Sequence, residues 1–234
     1  VGSFEVAFDD GQLAGGAVEN EAAKREAARK MAERLRPDQV VGVGSGSTSR
    51  LTLDALAARS TAEGFSWTAI ATSHEVELAC AAAGIPTVSL ATRRPDWSFD
   101  GADEVDPEAN LIKGRGGALL REKLVMAASP ERYVVVDSTK LVQQLGERHL
   151  VPLEVIPEAL RLVLDELARC GWTEATLRHG SGKDGPVITE RGNYLLDVAI
   201  RHVESDAEVS LKALPGVVET GLFIGYAPTV VVSG

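Results

Sequence analysis

The stretch Val40-Val41-Gly42-Val43-Gly44-Ser45-Gly46-Ser47-Thr48 decides the fold. Three valines in four residues read as a short buried strand, and Gly44 and Gly46 end it. Beyond Thr48, Leu51, Leu53, Leu56 and Ala57 suggest a helix. A strand that passes through a glycine-rich turn into a helix offers backbone N–H groups and a positive helix end to an anion. The dinucleotide fingerprint would need a third glycine where Ser47 stands, and no acidic residue closes the next strand to hold a ribose. The nucleotide-triphosphate loop needs a lysine, and this turn has none. A small phosphate fits what remains, with a purely structural turn as the competing reading.

Outward from this turn, strands and helices alternate. The pattern predicts a helix over 21–35 stopped before Pro37, a strand over 67–71, a helix over 73–83 ended by Gly84, and strands over 86–90 and 97–99. A helix reaching about 129 and a strand over 133–136 follow. Such alternation implies a mostly parallel sheet with ligands at the C-terminal strand ends, where GSGST (44–48), DGADE (100–104) and DSTK (137–140) collect on one edge. Near Gly146 the order changes: strand 150–156, a helix opened by Pro157, strands over 173–178, 187–189 and 194–200, a helix over 206–213 and a strand over 217–223. That order resembles a ferredoxin-like α+β unit with an extra hairpin. Residues 229–232 are apolar enough to rejoin the first sheet. The chain therefore divides into a poorly ordered tail (1–19), an α/β domain (20–145 plus 224–234) and an inserted, smaller α+β domain (146–223).

The 234 residues carry a net charge of −10 without any lysine- or arginine-rich block, which argues against nucleic acid or an anionic membrane as partner. An acidic chain that binds a phosphorylated metabolite must gather its few cations locally, and Lys24, Lys113, Arg115 and Lys140 are the candidates. No apolar run approaches the ~20 residues of a membrane span. The N-terminal residues lack the basic start and apolar core of a signal peptide. Cys80 and Cys170 read as buried free thiols, which suits a reducing compartment and points to the cytoplasm. His74, His149, His179 and His202 are scattered without metal-ligand spacing, and His74 reads as a capping or surface residue. A calcium loop begun at Asp96 fails because its twelfth position is Pro107.

The run DGADEVDPEANLIKGRGGALLRE at 100–122 has the density of a site. Asp100, Asp103, Glu104 and Asp106 crowd one strand end, and such carboxylates repel unless cations or a ligand offset them. A solvated acidic loop is the alternative. Here, however, the acids are followed by Lys113-Gly114-Arg115-Gly116-Gly117 and by a helix opening that carries Arg121, Glu122 and Lys123.

With GVGSGST (42–48), DGADEVDP (100–107), KGRGGALLREK (113–123), DSTK (137–140) and PGVVETGLF (215–223), the chain resembles the ribose-5-phosphate isomerase A family. The match runs in register from about Asn20 to the C-terminus. The resemblance implies interconversion of ribose 5-phosphate and ribulose 5-phosphate without metal or organic cofactor. It implies a Rossmann-like domain with a smaller α+β domain inserted before its last strand, assembled as a homodimer or homotetramer. It places the proton acceptor on Glu122. Substrate contacts fall on Ser45, Gly46, Ser47 and Thr48, on Asp100, Gly101, Ala102 and Asp103, on Lys113, Gly114, Arg115 and Gly116, and on Lys140. Many members have glycine where this chain has Arg115, and threonine is common where it has Ser45.

Aldose–ketose isomerisation needs a base, a group that handles hydroxyl protons, and positive charge where the enediolate oxygen develops. Glu122 suits the first role and Lys113 the last. Asp100 and Asp103 suit the sugar hydroxyls and furanose ring opening. The rival readings are an aminosugar-phosphate deaminase, a coenzyme A transferase of similar fold, and a sugar-phosphate sensor without turnover.

Overall fold

The computed structural model describes residues 13–182, 184–200 and 202–233. The tail expected over 1–19 lies outside the described residues as far as residue 12. The first helix, α1 (Leu13–Ala32), begins and ends before the limits expected from sequence, so that Leu35 and Pro37 lie in the turn that follows it. The strand β1 (Val40–Val43) is buried throughout and leads into α2 (Gly46–Glu63). Next come β2 (Thr68–Ala71), α3 (His74–Ala82), β3 (Trp97–Asp100), and the small hairpin β4 (Glu104–Val105) and β5 (Leu111–Ile112). The helix α4 (Leu119–Ala128) and the strand β6 (Glu131–Asp137) complete this part.

The chain returns at its end as β12 (Thr229–Ser233), giving a five-stranded sheet in the order β12-β6-β3-β1-β2 with every pair parallel. Both faces of the inner strands are covered, which is why β1 and β6 read as valine runs and not as alternating patterns. Val41, Val43, Phe99, Tyr133 and Val135 pack beneath α1, α2 and α3 with Met31, Leu53, Leu56 and Val76. On the other face Val134 and Val136 meet Met126 of α4, and Val40 and Ile70 meet its Val125.

From β1 the chain turns first to β2 on one side and then to β3 on the other. That reversal opens a crevice at the C-terminal ends of β1 and β3. Gly44 leaves β1 there, its N–H donating to the Phe99 carbonyl at 2.8 Å. A Cβ on Gly44 would stand 2.1 Å from Asp100 Oδ1, so only glycine lets the two strand ends close on each other.

The second sheet holds β7 (Val151–Val155), β8 (Ala175–Leu177), β9 (Tyr194–Val198) and β10 (Val217–Thr220) in the order β10-β7-β9-β8, all antiparallel. With α5 (Leu160–Arg169) after β7 and α6 (Ala207–Lys212) before β10, this is the ferredoxin-like arrangement. A third, three-stranded sheet joins β11 (Leu222–Phe223) to β5 and β4.

Three expectations change. The strand expected over 217–223 breaks at Gly221, whose N–H goes to the Pro152 carbonyl at 2.7 Å while its own carbonyl takes the Lys113 N–H at 2.8 Å. A Cβ there would lie 2.3 Å from the Lys113 carbonyl, so the break needs glycine. The strands expected over 86–90 and 187–189 shrink to isolated bridges, at Thr87 with Ala69 and at Ile188 with Tyr194. Finally, Cys80 is buried as expected but Cys170 is exposed, standing just past the last residue of α5. Among the described residues, no helix is long and apolar enough to cross a membrane.

Candidate active site

The crevice at the end of β1 and β3 widens into a cavity of about 670 Å³. Its chemistry comes from three consecutive pieces of chain. Asp100 is the last residue of β3. The β4–β5 hairpin then turns the chain back, its loop held by Asp106, which accepts N–H groups from Glu108 (2.9 Å) and Asn110 (2.8 Å). This return brings Lys113 beside Asp100, with Nζ 3.1 Å from Oδ2. A turn closed by the Gly117 N–H on the Gly114 carbonyl, 3.0 Å, leads into α4. Both glycines have positive φ, +85° and +103°. Glu122 sits in the first turn of that helix, its Oε2 3.3 Å from Lys113 Nζ.

Adjacent helical residues point in different directions, and Arg121, Glu122 and Lys123 use this fully. Arg121 reaches outward to Glu77 (2.7 Å), Glu190 (2.9 Å) and the Ala71 carbonyl (2.9 Å). Lys123 is buried against Glu208 (2.5 Å), Glu219 (3.0 Å) and the Leu222 carbonyl (2.6 Å). Only Glu122 faces the cavity.

The electrostatics follow from one buried cation shared by two buried acids. Burial pushes the Asp100 carboxyl up, and the nearby charge of Glu122 adds to it. Lys113 and the Gly101 N–H pull it down without cancelling the rise, so that its pKa stands at about 7. Burial lowers the Lys113 ammonium, but Asp100 and Glu122 outweigh it and hold the group above its ordinary value. Lys113 also donates to the Gly101 carbonyl at 2.5 Å. Among the described buried side chains, Glu122 Oε2 alone has no hydrogen-bond partner. Its sister oxygen Oε1 accepts the Ser45 hydroxyl at 2.5 Å.

Similarity to known proteins agrees with this geometry. A family model described as ribose 5-phosphate isomerase A (phosphoriboisomerase A) matches residues 68–234. A ribose-5-phosphate isomerase A of Methanothermobacter thermautotrophicus is 40% identical over 210 residues, covering 89% of this chain and 92% of that protein. One from Synechococcus sp. is 42% identical over 213 residues, covering 89% and 91%. The chain belongs to the ribose-5-phosphate isomerase A family. In that family the solved structure of the Methanocaldococcus jannaschii protein has a TM-score of 0.87 at 38% identity, over 92% of this chain and 96% of that one. A D-ribose-5-phosphate isomerase solved in complex with phospho-erythronic acid has the same TM-score and identity, over 91% and 94%.

The residues expected from sequence converge. Ser45, Gly46, Ser47, Thr48, Gly101, Ala102, Asp103, Lys113, Gly114, Arg115, Gly116, Glu122 and Lys140 all line the cavity. So do the cations Lys24, Lys113, Arg115 and Lys140 that a phosphate ligand would require of an acidic chain. Asp100 differs: it lies behind the wall, its oxygens taken by the Gly101 N–H (2.8 Å), the Ser49 hydroxyl (3.4 Å) and Lys113. Arg115 meets a carboxylate through its backbone, whose N–H donates to Asp103 Oδ2 at 3.1 Å. Lys24 pairs with Asp137 at 3.2 Å, and His74 is a surface residue whose Nδ1 lies 2.9 Å from Glu77.

Other wall residues escaped the sequence reading. Ser73 and Glu75 enter from the start of α3, and Val187 to Glu190 come from the connection between β8 and β9. Ser73 carried a local signal, since it caps α3 by accepting the Val76 N–H at 3.1 Å. The 187–190 segment carried none. It reaches the cavity through tertiary ties, of Glu190 to the His74 N–H (2.5 Å) and to Arg121, and of Thr189 to Glu154 (2.8 Å). Among the described residues, no group of three or more His, Cys, Asp or Glu side chains is arranged to hold a metal ion.

Proposed function

We propose that this chain interconverts D-ribose 5-phosphate and D-ribulose 5-phosphate through an enediolate, with Glu122 as the general base. Membership of the family carries the reaction. One observation supports the base: Glu122 Oε2 is buried at the cavity, has no hydrogen-bond partner, and stands 3.3 Å from an ammonium. A carboxylate oxygen with no donor of its own is free to take a proton from carbon, and the buried cation beside it can hold the charge that then appears on the substrate oxygen.

In the forward direction Glu122 removes the proton from carbon 2, and the electron pair moves to the carbonyl oxygen at carbon 1, near Lys113. A hydroxyl proton passes from the oxygen on carbon 2 to that on carbon 1. Glu122 then returns its proton to carbon 1. Asp103, on the wall, holds sugar hydroxyls and assists opening of the ring. Asp100, behind the wall, keeps Lys113 charged and in place.

The phosphate lies at the start of α2, where the N–H groups of Gly46, Ser47 and Thr48 open the helix, with Lys140 opposite. Gly46 has φ +85° and open space around it, so the turn presents its amides without a side chain in front of them. We further infer a homodimer or homotetramer in the cytoplasm, and a division into 20–145 plus 224–234 and an inserted 146–223 domain. The separate parallel and antiparallel sheets support that division, and the two free cysteines support the reducing compartment.

Incubation with ribose 5-phosphate and a chelator tests the reaction. Ketose should form at the same rate as without chelator. No ketose, or a rate restored only by one divalent ion, would overturn this reading.

A further inference from the structure

We propose that Ser45 is a positioning residue for Glu122, its hydroxyl holding Oε1 so that Oε2 is presented to the carbon-bound proton. The proposal rests on Glu122 being the base. A serine that precedes a helix with extended dihedrals ordinarily turns its oxygen onto an N–H of the first turn. Ser45 has those dihedrals, φ −99° and ψ 171°, at the start of an 18-residue helix, yet its side chain makes no capping bond. The hydroxyl instead donates to Glu122 Oε1 at 2.5 Å, across 77 residues of sequence.

Two consequences follow from this broken local rule, and both fall on the cavity. The first-turn N–H groups of α2 are left without a side-chain acceptor, as an anion site requires. The two oxygens of Glu122 also become inequivalent. The terminal torsion of a glutamate is broad and nearly two-fold, so an untethered carboxylate would exchange its oxygens freely. Here Ser45 holds Oε1, while Oε2 has no hydrogen-bond partner and lies 3.3 Å from Lys113. Fixing which oxygen faces the substrate is what a base needs to meet one particular C–H bond.

The rival role for Ser45 is direct contact with the phosphate. Kinetics of Ser45→Ala and Ser45→Thr with ribose 5-phosphate, and with the same sugar deuterated at carbon 2, separate the two. In Ser45→Ala, kcat should fall roughly 10- to 100-fold, as for other misplaced catalytic groups. KM should stay unchanged and the deuterium isotope effect on kcat should grow. Ser45→Thr, which keeps a hydroxyl, should recover most of the lost kcat. The melting temperature of Ser45→Ala should match wild type, since no capping bond is lost.

A raised KM with kcat intact would assign Ser45 to the phosphate and overturn the proposal. So would a lowered melting temperature with both kinetic constants unchanged, which would make Ser45 a structural cap. Wild-type turnover that Ser45→Ala leaves untouched overturns this proposal alone. No turnover in wild type overturns the isomerase reading with it.

Discussion

Asp100 and Glu104 lie four residues apart in one acidic motif, and both are buried, yet the fold treats them oppositely. Glu104 is saturated. Its Oε1 accepts the N–H groups of Arg148 and His149, each at 2.6 Å, and its Oε2 accepts that of Gly146 at 2.7 Å. Asp100 receives one backbone N–H, a hydroxyl at 3.4 Å and an ammonium that it shares with Glu122. A buried carboxylate surrounded by fixed amide donors ties chain segments together, here the β4–β5 hairpin to the loop that leads into the second sheet. A buried carboxylate that shares one cation with a second acid holds charge in readiness, at a cost in stability. The two lysines of this region divide in the same way, Lys113 between the acids of the cavity and Lys123 locked onto Glu208, Glu219 and Leu222.

The sharpest way to break the contrast is at the base. Glu122→Gln keeps the shape and the bond from Ser45 but cannot take a proton, so the rate should fall by roughly 10²–10⁴-fold. Substrate affinity should change little, because the proposed phosphate contacts lie on α2. Turnover near wild type in a folded variant would dissolve the distinction between reactive and structural acids.

Lys113→Met comes next. It strands Asp100 and Glu122 together without their cation, and removing one partner of a buried pair costs about 3–5 kcal/mol. Urea unfolding should register that loss at neutral pH, and isomerisation should fail as well. A variant as stable as wild type would mean that the two acids do not depend on this lysine.

On the structural side, Glu104→Gln turns an amide N–H₂ toward backbone donors, and an unsatisfied buried group of this kind costs about 1–3 kcal/mol. The folded fraction should turn over at the wild-type rate. A large fall in kcat without loss of stability would move Glu104 into the site.

The last test is a pH slope. Asp100 has its pKa raised from 3.8 to about 7, so across that window the folded protein binds a proton that the unfolded chain has released. Its contribution is present below pH 3.8 and is lost as pH rises through about 7. Asp100→Asn should remove that part of the decline from a series of unfolding curves. The same slope in both proteins would show that Asp100 does not titrate there.

Much of this was legible in the sequence because chemistry and chain order coincide. Asp100, Lys113 and Glu122 lie in one 23-residue run, and the order of glycine turns and apolar strands fixed the edge where it opens. The contrast within DGADE was not legible. Asp103 and Glu104 are neighbours that diverge only because the chain enters a strand of two residues, too short to leave a periodic signal. Nor could sequence show that Ser45 serves Glu122 and not its own helix, since its spacing before α2 is that of an ordinary cap. The 187–190 wall was hidden for another reason. Its place depends on Glu190 meeting His74 and Arg121 and on Thr189 meeting Glu154, residues far away in the chain.

The most direct measurement is exchange of the substrate's carbon-bound proton with deuterated solvent, followed by NMR on wild type and Glu122→Gln with substrate at saturation. Wild type should wash deuterium into carbon 1 of ribulose 5-phosphate and carbon 2 of ribose 5-phosphate. The folded, substrate-binding Glu122→Gln protein should exchange neither position on the same timescale. Exchange at the wild-type rate in that variant would remove Glu122 from the mechanism.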